Sequence, residues 1–188
     1  MRLTKQLSDV MGITFGWLTM LLGLIVTGEV AARKLFNWSM QGADELGGYI
    51  LAVSACISFC VALLGRNHMR IDVIHYRLSR GGQAVLNWIS VVSIALFALV
   101  LAWASFGVIR DTFAYNSTAP TPWATPLKYP QSVWYAGIVA FAIVAVLLAG
   151  RATYLFATGR MAELASEFEP KAAQEELEEE LEDAKRRL

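Results

Sequence analysis

Charged residues divide this chain into long apolar stretches. Uncharged runs of 19, 20, 29 and 22 residues lie between Asp9 and Glu29, Glu45 and Arg66, Arg80 and Arg110, and Lys128 and Arg151. A helix needs roughly 20 apolar residues to cross about 30 Å of hydrocarbon. Inside that layer every backbone N–H and C=O must be satisfied within the segment, which selects helices. The pattern predicts an all-α integral membrane protein with four transmembrane helices, at about 11–31, 46–65, 84–109 and 132–154. The third run is longer than one bilayer requires and is expected to tilt or to project past the headgroups. The first follows Arg2 and Lys5, as a signal peptide would. It is longer than an h-region of about 7–15 residues, however, and Glu29 and Arg33 stand where small cleavage-site residues belong. It reads as a retained span.

The segments between the runs have patterns of their own. Residues 66–80 read RNHMRIDVIHYRLSR, in which Ile71, Ile74 and Leu78 fall at i, i+3 and i+7 while Arg70, Arg77 and Arg80 lie elsewhere. A short helix lying in the membrane interface is expected there. Residues 110–130 contain Pro120, Pro122, Pro126 and Pro130, four of the five prolines. Proline fixes φ and removes a donor, so an ordered, non-helical loop is expected. Residues 161–188 end in EELEEELEDAKRRL, with Leu177, Leu181, Ala184 and Leu188 spaced by 4, 3 and 4. This seam is too short for a stable coiled coil. It reads as an acidic helical tail, either solvated or docked on a partner helix. The organisation expected is a four-span membrane domain over 1–160 followed by the tail, 161–188.

Composition supports this picture. The chain is 56% hydrophobic and only 17% charged, against about 25% charged in average soluble domains. Disorder is thereby excluded, and the composition argues against an ordinary soluble domain. The net charge of zero argues against a nucleic-acid partner, but the charge is segregated. Residues 161–188 hold 10 of the 16 acids and 4 of the 16 basic residues. Lysines and arginines in short loops set orientation. With both termini inside, the inner side carries 8 (Arg2, Lys5, Arg66, Arg70, Arg77, Arg80, Arg151, Arg160) and the outer side 4 (Arg33, Lys34, Arg110, Lys128). Both termini are therefore expected in the cytoplasm. Trp38, Trp88, Trp123, Tyr129, Trp134 and Tyr135 lie near run ends and suit the lipid–water boundary.

Candidate chemistry is sparse. Cys56 and Cys60, four apart, share one helical face and read as small packing residues. His68 and His75 are the only histidines. Seven apart, they could face one way on a helix, but a bis-His haem takes its ligands from separate helices, so a capping or interfacial role fits them better than a haem or metal role. No nucleophile–base pair, phosphate loop or metal signature is present. No metal, cofactor or enzymatic activity is expected. The spans also lack the ionisable groups with which carriers hold charged substrates at the midplane. The residues point to an accessory or scaffold subunit whose partner performs transport; a membrane-anchor or cytochrome-b-like subunit of a redox complex is the alternative.

Several motifs sharpen the reading. The acidic pair Asp44-Glu45 opens the second span, the stretch Asn67-His68-Met69-Arg70-Ile71-Asp72 follows it, and a Pro-Trp-rich loop with Pro130 and Trp134 precedes the last. In these features, over about 10–155, the chain resembles the small membrane subunit of TRAP (tripartite ATP-independent periplasmic) transporters, the DctQ-like family. Two features depart from that pattern: Gly42-Ala43 precedes the acidic pair where the family often has Trp, and the acidic tail extends beyond the usual end. The resemblance implies a stationary scaffold for a large, many-span permease subunit. That subunit works as a sodium-driven elevator for an organic acid delivered by a periplasmic substrate-binding protein. It also implies location in the inner (cytoplasmic) membrane of a bacterium or archaeon. Asp44, Glu45, Asn67, His68, Arg70, Asp72, Pro130 and Trp134 are then expected to serve assembly rather than to bind substrate.

Overall fold

The computed structural model describes residues 2–39, 42–64 and 78–168, without the side chains of residues 2–11 and 80. Within them four long helices form: α1 (Arg2–Phe36), α2 (Ala43–Leu64), α3 (Arg80–Tyr115) and α4 (Lys128–Ala157). All four are long and apolar enough to cross a membrane. A fifth, α5 (Met161–Glu167), is short. Each predicted span lies within, or within a residue of, one long helix, and the helices extend beyond them. At 1.5 Å per residue, α1 and α3 reach about 52–54 Å, well beyond the hydrocarbon layer.

Two boundaries differ from the expectation for 110–130. Residues 110–115 continue α3, and 128–130 already belong to α4. Pro130 is compatible with helix because first-turn N–H groups have no intrahelical partner to lose. The non-helical loop is therefore 116–127. Asn116 terminates α3 in the left-handed conformation, φ 47° and ψ 46°. The loop is tied across itself by Ala119 N–H to Thr125 O at 2.9 Å and Leu127 N–H to Ser117 O at 3.0 Å.

The helices do not close into a four-membered ring. The principal packing runs α1 against α2, α2 against α4, and α4 against α3. The buried α3 residues, which face α4 and, toward the start of the helix, α5, are Ala84, Asn87, Val91, Ala95, Ala98, Ser105, Ile109 and Thr112. Their spacing alternates between three, four and seven, the seam of antiparallel helices packed at a shallow angle. On α4, Ile138, Ala145 and Ala152 repeat at seven. One core joins Leu63 of α2 to Ala95 and Ala98 of α3 and to Phe141, Ala142 and Ala145 of α4. Where α2 crosses α4, a Cβ on Gly137 would stand 2.8 Å from Cys56 Cβ. The missing side chain is what lets the helices approach. Cys56 fills that crossing as a small packing residue, and its thiol lies 3.7 Å from Trp134 O. Both cysteines are free.

α1 stands at the edge of this array. Among its described side chains only Leu22 and Glu29 are buried, with Phe15, Val26 and Ala32 half-buried on the same side. Other apolar side chains along it, including Trp17, Leu21 and Leu24, are open.

At the opposite end of the array from the 116–127 loop, α5 folds back onto α3 and α4. Leu164 and Phe168 enter a second core with Ala84, Val91, Ala152 and Leu155. Asn87 Nδ2 donates to Ala165 O at 3.4 Å. Arg151 pairs with Glu163 at 3.5 Å and Glu167 at 3.2 Å. These exposed pairs add little. Burial of Leu164 is worth about 1.5–3 kcal/mol and holds a helix too short to persist alone. The first turns of the acidic segment are thus packed against the membrane domain rather than solvated. Residues 169–188 lie outside the described residues, as do Asn67, His68, Arg70, Ile71, Asp72 and Ile74. Leu78 is described: it is half-buried, folded over Gly82 at the start of α3.

Candidate functional site: the loop end of the helix array

The start of α2, the 116–127 loop and the start of α4 meet at one end of the molecule. The two acids of the motif separate there. Asp44 is exposed, whereas Glu45 is 7% exposed and buried. Their difference follows from helix geometry, since neighbours on a helix point about 100° apart and only one can face the bundle. Glu45 Oε1 accepts a hydrogen bond from Tyr49 Oη, one turn on, at 2.8 Å. Its other oxygen, Oε2, accepts one from Thr121 Oγ1 in the loop. A carboxylate in the first turn of a helix also faces the positive end of the helix dipole. Glu45 therefore ties α2 to the loop of its own chain, a use of its lone pairs that does not require an arginine from outside.

Trp123 makes the second tie. Gly42 has φ +122°, and a Cβ there would lie 2.5 Å from the Trp123 ring. Only glycine adopts this backbone without strain and leaves room for the indole. On the other side of the loop, Thr112 of α3 donates to Gln131 of α4. Pro130 and Trp134, both half-buried, line a cavity of about 210 Å³ with Tyr49, Ala52, Val108 and Gln131. Glu45, Pro130 and Trp134 are thus brought together through Tyr49, beneath the loop. Asn67, His68, Arg70 and Asp72 of the motif after α2 lie outside the described residues.

Glu29 completes the loop end. It is 8% exposed. Ser39 Oγ donates to its Oε1 at 2.8 Å, and its Oε2 has no partner among the described residues. Aromatic residues expected to anchor the boundary also have internal roles. Trp88 Nε1 donates to Thr153 Oγ1 at 3.0 Å and stacks on Phe156 with ring centres 4.8 Å apart.

Of the motif residues, Glu45, Pro130 and Trp134 lie at this end of the array, where they are joined by Thr121, by Trp123 as the neighbour of Gly42, and by Glu29, none of which the motifs single out. Tyr49 was accessible to sequence reasoning, being four residues from Glu45. Thr121 was not, because nothing local pairs a loop hydroxyl with an acid 76 positions away. Among the described residues no cluster of three or more His, Cys, Asp or Glu could hold a metal. The arrangement fastens elements together.

Residues 22–153 match the family "Tripartite ATP-independent periplasmic transporters, DctQ component". The match covers most of the chain, and the chain belongs to that family. It is a multi-pass membrane protein, the small permease subunit of a TRAP transporter. No individually curated protein matches the sequence.

Proposed function

For a member of the DctQ family, we propose the role of stationary scaffold in sodium-driven uptake of an organic acid. The large permease subunit performs the elevator movement, and a periplasmic binding protein delivers the substrate. The observation that carries this reading is the fastening of the array at both ends. Glu45–Thr121, Gly42–Trp123 and Thr112–Gln131 tie the loop end, and α5 clamps the other. A frame against which another subunit slides must itself resist deformation, and these ties supply that. The excess of lysine and arginine supports an orientation with both termini and α5 in the cytoplasm and the 116–127 loop in the periplasm.

In this role Glu45 fastens the periplasmic end, Asp44 remains available at the surface, and Pro130 with Trp134 shapes the start of α4. Asn67, His68, Arg70 and Asp72 act at the cytoplasmic interface, with Ile71, Ile74 and Leu78 seated in the headgroup layer. Glu45 and His68 are 23 residues apart along α2 and beyond it, about 35 Å if helical throughout, so neither approaches a substrate at the midplane. The test is purification of the tagged chain in mild detergent after co-expression with its many-span TRAP subunit, followed by reconstitution. Stoichiometric recovery of both chains and uptake that needs sodium, both chains and the binding protein are expected. Transport by the large subunit alone, at the same rate, would overturn the scaffold role.

A further inference from the structure

We draw no further inference here: the strongest candidate, the cleft of about 540 Å³ between the first half of α1 and the second half of α2, carries nothing, because nothing in the structure shows what covers its apolar, small-residue walls.

Discussion

Glu45, in the first turn of α2, accepts a hydrogen bond from Thr121, in the loop between α3 and α4. The bond joins the helix that opens the middle of the array to the loop that closes its far side. The same carboxylate is held in position by Tyr49. Removing either end of the link should therefore loosen the loop and leave substrate recognition intact. Glu45→Gln and Thr121→Val are each expected to lower recovery of the assembled complex several-fold while the apparent KM for uptake stays within about twofold. His68→Ala, at the other end, should behave similarly. Uptake kinetics and complex yield measured on the same vesicles decide the matter; an intact complex with a large rise in KM would place these residues on the transport path.

Gly42 should tolerate no side chain. Gly42→Ala meets both the Trp123 ring and a backbone angle that L-residues rarely adopt. A loss of about 1–3 kcal/mol or more is expected from the backbone alone. Trp123→Ala in the same chain relieves the collision but not the angle, so thermal unfolding in detergent should recover only part of the loss. Full recovery would show that the backbone angle contributes nothing.

The clamp by α5 predicts a boundary within the C-terminal segment. Truncation after residue 168 should preserve assembly, because the buried residues Leu164 and Phe168 remain. Truncation after residue 160, or Leu164→Ala, should not. The latter removes a fully buried leucine at a cost of about 2–5 kcal/mol. Trypsin cleavage after Arg160, followed by mass spectrometry, should accelerate in Leu164→Ala; equal rates would mean that α5 is not held by this contact.

The charge pattern predicts sidedness. In a background lacking Cys56 and Cys60, Thr118→Cys should react with an impermeant maleimide in intact cells. His75→Cys should react only after the membrane is opened. The reverse pattern would invert the topology.

The amphipathic stretch before α3 predicts an assembly defect of its own. Replacing Ile71, Ile74 and Leu78 together with serine should lower complex yield without altering which acids compete for uptake. Altered competition with normal yield would contradict an interfacial role.

The four spans are legible in the sequence because helix formation in a bilayer is a local matter. A run such as 84–109 satisfies its own backbone, and the absence of charge decides that it enters. The loop at 116–127 is legible for a similar reason, since Pro120, Pro122 and Pro126 act on their own residues. Lateral order is a different problem. Every face of α1 or α4 is apolar, so no periodicity says that α1 meets α2 alone or that α2 lies against α4. That order came from the fit of Gly137 around Cys56 and of Leu22 beside Gly47. The acidic pair was visible, but only the rotation of α2 decided that Glu45 turns inward to Thr121 while Asp44 stays at the surface. The charged appearance of 161–168 likewise concealed Leu164 and Phe168. Charge density is a property of the strip, whereas burial depends on the apolar pocket that α3 and α4 create only once they pack together.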